Sequence, residues 1–365
     1  MWMQSVLVTD TPYLTIHHAH SEDQGLNWSY TVPLTPSGRD RFQASMDVDP
    51  SGIAHFAWWE RPGEFEVWYT QLMDGNWEEK VLVTHTQYVT RQVASPDVVA
   101  AGDLVHLVWS EKTPLETGAS EFDLYYSRSD DWDASVIAAD TSNSSLEASM
   151  AVDAHGDLHL VWAEDNTAPL PRQIMYISGT VDSVQTVWSA PITVTAALTQ
   201  NATTPAIAVG QDDVLHVVFG VDVEDQLHTQ DVYYARFPIS DTGSISPTIL
   251  PGSRVRMSYM LPNFASPSIA VCGSLQVHVA WNGVQGVDYS DRIYYSMSED
   301  GGLNWTDPFA ISPKDSRADG FPALAVNEES VYLVFQEGVV GGDNDVLYTR
   351  RFPLKIQFPL AMKSY

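Results

Sequence analysis

The sequence is poor in cysteine and in basic residues. Cys272 is the single cysteine among 365 residues, which excludes an intramolecular disulfide framework and a multi-cysteine zinc site. Lys and Arg number 18 against 47 Asp and Glu, a formal net charge of −29. This balance excludes nucleic acid as a partner, because binding to phosphates needs a basic face. No window approaches the ~18 continuous apolar residues of a membrane span, so no transmembrane segment is predicted.

Apolar residues are nevertheless abundant. They make up 44% of the chain, with 11% aromatic residues, and this excludes a disordered acidic tail. Residues 1–4 lack the basic and apolar regions of a signal peptide, so no signal peptide is predicted within this chain. The aromatic-rich, base-poor composition and the Pro-Leu pattern of residues 352–365 favour an extracellular or cell-surface location.

A pattern recurs six times along the chain. Each unit has a short apolar strand, a turn, a second strand with His or Tyr near its start and Trp or Phe near its end, and a third strand that ends in Tyr. The second strands are marked by His55, His106, His159, His216, His278 and Tyr332. A weaker fourth strand closes most units, and helical periodicity is absent. The pattern predicts an all-β, six-bladed β-propeller with four-stranded antiparallel blades.

The N-terminus carries part of a further unit, because residues 16–28 align with residues 293–305. We therefore predict one propeller domain over 1–365, with 1–34 as a closing hairpin and 352–365 as a C-terminal tail. The hairpin is expected to pair with a strand from the C-terminal third, which would remove an exposed sheet edge. Seven blades, one of them split, is the alternative.

Two octapeptides, 21–28 and 298–305, resemble the Asp box, Ser-x-Asp-x-Gly-x-Thr-Trp, of sialidases and bacterial neuraminidase repeats. Asn27 and Asn304 stand where the box has Thr. The resemblance implies a sialidase-superfamily scaffold, and the box itself is a folding device in which Asp binds turn amides and Gly takes a special φ. The box residues are Ser21, Asp23, Gly25, Trp28, Ser298, Asp300, Gly302 and Trp305. They are expected in turns between third and fourth strands.

In a propeller, ligands usually bind at the face where the innermost strand begins and the second strand ends; we call this the ligand face. Arg41, Arg91 and Arg317 each lie four residues before an aligned first-strand residue, namely Ser45, Ser95 and Phe321. Three converging guanidiniums would bind a carboxylate bidentately, and sialidases hold their substrate with an arginine triad. The Arg-Ile-Pro signature of that family is missing here.

Acidic residues are predicted on the same face. Glu60, Glu111, Glu164 and Glu337 each follow the Trp or Phe of the second strand by two residues. Three interpretations stay open: these carboxylates neutralise the arginines, as buried polar groups must be paired, or they join them in a ligand pocket, or they are simply exposed to solvent.

The resemblance also implies where a catalytic group would lie. A sialidase uses a Tyr nucleophile with a carboxylate partner and a separate acid. Tyr88 and Tyr259 lie in segments that lead to first strands, and Asp40 and Asp319 flank the arginine positions. These four are candidates by location alone, since none falls in a family motif.

No metal or other cofactor is predicted. The five aligned histidines occur once per unit, so they cannot converge on one ion, and core hydrogen bonding is favoured. Residues 222–225 and 341–345 are oxygen-rich enough for Ca²⁺, but neither matches a defined calcium loop.

The sequence therefore favours a non-catalytic, sialidase-like module that binds glycan or protein. An exo-acting glycoside hydrolase of sialidase type and a self-associating surface protein are the alternatives.

Overall fold

A computed structural model describes residues 2–8, 11–23, 26–29, 32–33, 40–61, 65–84, 93–114, 120–139, 143–166, 169–224, 229–240, 245–256, 266–284, 292–312, 317–328, 330–338 and 346–353. Within these residues the structure is all-β, with seven antiparallel sheets in chain order. No helix in them is long and apolar enough to cross a membrane. The all-β prediction is confirmed.

The sheets are numbered 1 to 7, and their strands β1 to β29. Sheets 1 and 7 have three strands: β1 (Trp2–Val8), β2 (Thr11–His18) and β3 (Val32–Pro33); β27 (Arg317–Val326), β28 (Ser330–Gly338) and β29 (Val346–Pro353). Sheets 2 and 3 comprise β4 (Asp40–Val48), β5 (Ala54–Arg61), β6 (Glu66–Met73), β7 (Asn76–Trp77) and β8 (Val81–Leu82); β9 (Val93–Ala101), β10 (Leu104–Pro114), β11 (Ser120–Arg128) and β12 (Asp131–Ala139).

Sheets 4 to 6 follow the same order. They comprise β13 (Ser144–Val152), β14 (Leu158–Asp165), β15 (Gln173–Val181), β16 (Thr186–Trp188) and β17 (Ile192–Thr193); β18 (Ala202–Val209), β19 (Val214–Asp222), β20 (Thr229–Pro238), β21 (Thr248–Ile249) and β22 (Val255–Arg256); β23 (Ser268–Cys272), β24 (Gln276–Gly283), β25 (Arg292–Ser298) and β26 (Phe309–Ala310). In sheets 2 to 6 the first four strands pair in sequence order, as predicted for a blade. The number of blades in the complete propeller stays a prediction.

The hydrophobic core lies between consecutive sheets. Side chains alternate along each strand, so a second strand has one face toward the preceding sheet and the other toward the next. Trp162 of β14 packs with Leu124 and Tyr126 of sheet 3, whereas Val161 packs with residues of sheet 5. The second strands are therefore covered on both faces, and β14 is buried from Leu158 to Glu164.

The first strands of adjacent sheets are joined by carboxylates rather than by strand pairing. Asp47 accepts a hydrogen bond from the amide of Ala100 (2.9 Å), and Asp97 accepts one from the amide of Met150 (2.8 Å). Glu147 likewise accepts one from the amide of Thr204 (2.7 Å). Each of these hydrogen bonds satisfies a backbone amide in the first strand of the following sheet, and buried amides need such a partner.

The five aligned histidines are buried and hydrogen-bonded, which confirms their predicted core role. Each Nδ1 lies 2.6–2.8 Å from the hydroxyl of a tyrosine on the third strand of its own sheet: His55 and Tyr69, His106 and Tyr126, His159 and Tyr176, His216 and Tyr234, His278 and Tyr295. An aromatic ring of the following sheet then packs on four of these tyrosines, as Trp132 does on Tyr69.

The two octapeptides form the predicted turns, between β2 and β3 and between β25 and β26. Asp300 accepts hydrogen bonds from the amide (2.8 Å) and side-chain nitrogen (2.6 Å) of Asn304, and Asp23 does the same with Asn27. Hydrogen bonds from these asparagines lower the pKa of both aspartates to about 2. Gly25 lies outside the described residues. The asparagine that stands where the Asp box has threonine thus donates a side-chain hydrogen bond to the aspartate of the turn.

Sheet 1 differs from its predicted pairing. Among the described strands, β2 pairs with β1 and β3, and not with a strand from the C-terminal third. Ile16 of β2 is fully buried against Phe56 and Trp58 of β5. The hydrogen-bonding partner of β2 is the segment 2–8, which the repeat pattern did not identify as a strand.

Candidate functional site

The ligand face is the edge of the sheets where β4, β9, β13, β18 and β27 begin and where β5, β10, β14, β19 and β28 end. The Asp-box turns lie at the opposite edge, as predicted. Binding and catalytic residues usually lie on loops and at strand ends, which the sheets hold in place. The search for a site therefore begins at these strand ends.

A β-bulge interrupts the first strand of five sheets near the ligand face. At each bulge two residues of the first strand face one residue of the second, and the first of the two takes a positive φ between 42° and 57°. We call these residues the bulge row: Gln43, Ser95, Glu147, Thr204 and Phe321. They occupy one repeat position. In every one of the five sheets, the bulge-row residue comes directly after the first-strand residue that pairs with the same position of the second strand.

The bulge row corrects the sequence alignment. Ser45 was aligned with Ser95, but the strand registers place Gln43 there. The position four residues earlier is therefore Arg39, not Arg41, in line with Arg91 and Arg317. The error comes from matching the letters Ser-x-Asp-Val of residues 45–48 with those of residues 95–98, which lie two positions apart relative to the bulge. In sheets 4 and 5 this position holds Asn143 and Gln200.

The structure does not describe the predicted arginine site. Tyr88, Arg91 and Tyr259 lie outside the described residues. For five further candidates the structure describes the backbone, which lies in a strand, but not the side chain: Asp40, Arg41, Arg317, Asp319 and Glu337. Arg41 pairs with Glu60 across β4 and β5. The arginine set and the four catalytic candidates stay predictions.

The three described glutamates share one arrangement. Glu60, Glu111 and Glu164 are buried, and each accepts a hydrogen bond from the indole of the Trp two residues earlier, at 2.8–3.1 Å. Lys80 lies 3.0 Å from both oxygens of Glu60, and Ser145 donates to Glu164 at 2.8 Å. Buried carboxylates need such donors. These donors pair the three carboxylates within the fold. Their predicted pairing with the arginines and their role toward a ligand both stay predictions.

Two further carboxylates, those of Glu147 and Asp165, are open to solvent. Arg172 lies 3.7 Å from Glu147 and 3.3 Å from Asp165, whose side chains are 26% and 49% exposed. Glu147 belongs to the bulge row and Asp165 ends β14, so both lie on the ligand face. One guanidinium thus binds two accessible carboxylates, an arrangement that sequence reasoning missed because the residues come from three separate segments.

A cleft of about 260 Å³ lies beside Arg172, and neither Glu147 nor Asp165 lines it. Its walls are residues 169–171, 199–201 and 222–224 of sheets 4 and 5. The side chain of Asn201 accepts a hydrogen bond from the backbone amide of Arg172 (3.0 Å) and donates to Asp222 (3.1 Å). The cleft combines apolar side chains with hydroxyl, amide and carboxylate groups, a mixture that suits an oligosaccharide. Among the described residues, no group of three or more acidic, His or Cys side chains is placed to hold a metal ion.

Comparison with known proteins identifies the class of fold. No protein-family model matches the chain, and no curated protein matches it. An α-L-arabinofuranosidase of family GH93 from Fusarium graminearum, solved with arabinobiose, matches with a TM-score of 0.52 and 12% identity over 86% of this chain and 93% of that one. A Penicillium chrysogenum α-L-arabinanase with arabinobiose gives 0.53 and 15% over 86% and 93%.

A third structure is a polysaccharide lyase of family PL25, an ulvan lyase bound to a GlcA-Rha3S saccharide. It matches with a TM-score of 0.55 and 13% identity over 83% of this chain and 78% of that one. The chain therefore has the β-propeller fold found in glycoside hydrolases and lyases. The comparisons do not single out sialidases, so the finer assignment implied by the Asp boxes is not shown.

The prediction of a non-catalytic binding module is wrong. The similar structures are catalytic glycoside hydrolases and a polysaccharide lyase, and they match most of the chain. The missing Arg-Ile-Pro signature bears on sialidases alone, and not on the other glycoside hydrolases and lyases that have this fold.

Proposed function

We propose that this protein is a carbohydrate-active enzyme that hydrolyses glycosidic bonds on its ligand face, with Glu147 and Asp165 as the reacting carboxyl groups. The observation that carries the proposal is the exposed pair of carboxylates around Arg172. Its support is a fold that the chain has in common with two glycoside hydrolases and a polysaccharide lyase.

The chemistry requires two carboxyl groups near one sugar. One protonates the oxygen of the leaving group as the bond to the anomeric carbon breaks. The other takes a proton from water, which adds to that carbon, or attacks the carbon before water does. Arg172 would hold both side chains in position, and the adjoining cleft would bind a sugar next to the bond that is cleaved.

The neighbours suggest the first substrates to test. Two of them bind arabinobiose, a neutral sugar, and the lyase binds an acidic one. A chain with a net charge of −29 repels polyanions at long range, so we favour a neutral arabinan-type polysaccharide. Such a substrate is too large to enter a cell, which agrees with the predicted extracellular location.

The test is an assay with arabinan, ulvan and a sialoside reporter, with reducing ends and the ultraviolet absorbance of unsaturated uronate as readouts. We expect new reducing ends from arabinan without that absorbance. Glu147→Gln and Asp165→Asn should each lower kcat by about 10²–10⁴, the range for a general acid or base. Asp103→Asn is the control, because Asp103 is exposed in the turn between β9 and β10 on the opposite face.

Each other result is decisive. Unsaturated products from ulvan would show that the protein cleaves by elimination, as a lyase does, and would overturn the proposed hydrolysis. Cleavage of the sialoside would favour the sialidase resemblance. Full activity in both carboxylate variants would show that Glu147 and Asp165 are not the reacting groups.

A further inference from the structure

Phe321 places a large apolar side chain at a position where the fold does not require one. It belongs to the bulge row with φ 52°, a conformation that is strained for a bulky residue, and its side chain is 51% exposed. Ser95 and Thr204 occupy the same repeat position with small polar side chains. The bulge requires the positive φ in all five sheets, but it does not require a large apolar group, and one that is half exposed adds little to the core. An exposed aromatic side chain kept at a position that strains it is therefore a candidate for binding a ligand.

Trp59 is a second aromatic residue at this level of the ligand face. It pairs with Phe42, the residue before the bulge, and the equivalent residues are Ser110, Ala163, Gly220 and Gln336. The described sheets thus have small or polar residues where sheet 2 has tryptophan. The Trp59 indole donates to the side-chain oxygen of Gln43 in the bulge row (2.9 Å), and its ring lies 5.1 Å from that of partly exposed Phe65.

The bulge row connects these aromatics to the carboxylate pair. Gln43, Glu147 and Phe321 hold one repeat position, so Trp59, Glu147 and Phe321 lie at one level of the same face. Sugar rings present apolar C–H surfaces, and rigid aromatic side chains supply contact area at little cost in conformational entropy.

We infer that Phe321 and Trp59 are stacking platforms for sugar rings that are not themselves cleaved. The substrate is therefore a saccharide chain that occupies several subsites, rather than a single terminal sugar. This inference rests on the proposed function for the position of cleavage, but the binding of saccharide by the platforms can be measured without it.

The first experiment uses Phe321→Gly and Phe321→Tyr. Glycine adopts φ 52° without strain, so Phe321→Gly should leave the Tm unchanged or higher while it removes the ring. We expect its KM for arabinan to rise about tenfold, the effect of ~1.4 kcal/mol, with kcat within about twofold. Phe321→Tyr retains the ring and should behave like the wild type. Arabinobiose, too short to span the subsites, should show no such effect.

The second experiment uses Trp59→Phe and Trp59→Ala. Phenylalanine retains a ring but loses the bond to Gln43, whereas alanine loses both. If the ring binds sugar, the KM for arabinan should rise in Trp59→Ala and much less in Trp59→Phe. If Trp59 only holds Gln43 in place, the two variants should be equally impaired.

Affinity electrophoresis in gels that contain arabinan or ulvan separates the two proposals. Retardation of the wild type that is lost in Phe321→Gly, without any cleavage, would retain the platform and overturn the hydrolase. Cleavage with an unchanged KM in Phe321→Gly would retain the hydrolase and overturn the platform. Neither binding nor cleavage of any of these saccharides would overturn both.

Discussion

The hydroxyl of Tyr234 lies 2.7 Å from Nδ1 of His216, within a part of sheet 5 that is closed to solvent. The same hydroxyl donates to the carbonyl oxygen of Gly301 in the Asp-box turn of sheet 6 (3.3 Å). One tyrosine thus connects the second strand of its own sheet to the turn of the next sheet.

Removing that hydroxyl should destabilise the fold. Tyr234→Phe leaves a buried ring nitrogen and a carbonyl without this partner, and we expect the free energy of unfolding to fall by about 1–3 kcal/mol. Urea denaturation measures the change. Tyr233→Phe is the control, because Tyr233 is partly exposed and stacks on Phe219. Equal effects in the two variants would contradict the connecting role of Tyr234.

Gly302 should tolerate no side chain. Its φ is +89°, and a Cβ there would collide with the hydroxyl of Tyr234. Gly52 has the same φ with open space around it, so Gly52→Ala reports the backbone strain alone. We expect about 1 kcal/mol for Gly52→Ala and a larger loss for Gly302→Ala, measured by thermal unfolding. Equal losses of stability in Gly302→Ala and Gly52→Ala would contradict the close contact between Gly302 and Tyr234.

The buried histidines should make the protein sensitive to acid. Burial lowers the pKa of His106, His216 and His278 to about 4, whereas unfolded histidine titrates near 6.5. Between these values the unfolded chain binds protons that the folded chain does not. Stability is therefore complete above about pH 6.5 and is lost as the pH falls toward 4.

The Tm measured from pH 7.5 to 4.5 should decrease below pH 6.5, with net proton uptake on unfolding in calorimetry. The Asp-box aspartates, with pKa values of about 2, act only at lower pH. A Tm that is constant down to pH 4.5 would contradict the neutral, buried state of these histidines.

Sheet 1 should contribute to the stability of the first complete blade. Ile16 is fully buried against Phe56 and Trp58, so Ile16→Ala should cost about 2–4 kcal/mol. Leu26→Ala is the control, because Leu26 is 77% exposed in the turn after β2. Global unfolding that is unaffected by Ile16→Ala would make sheet 1 an appendage.

Local and repeated features were predictable from the sequence. The His and Tyr positions recur in six units, and the two octapeptides predict their turns, because each depends on residues close together in one unit. Arg41 is misaligned because the letters Ser-x-Asp-Val recur at 45–48 and 95–98 in different registers, which only strand pairing reveals. The pair of Glu147 and Asp165 was missed because Arg172 brings them together from separate strands, and Phe321 was seen only as an alignment point.

Because the same left-handed backbone conformation recurs at each bulge, the bulge row places five different side chains at one level of the face. Gln43, Ser95, Glu147, Thr204 and Phe321 already differ widely in charge and volume. The side chains of Gln43 and Glu147 accept hydrogen bonds from the next first strand and must be kept. A combinatorial library confined to the codons of Ser95, Thr204 and Phe321 should therefore yield folded proteins of altered selectivity, whereas the same diversity in the second strands would disrupt the core.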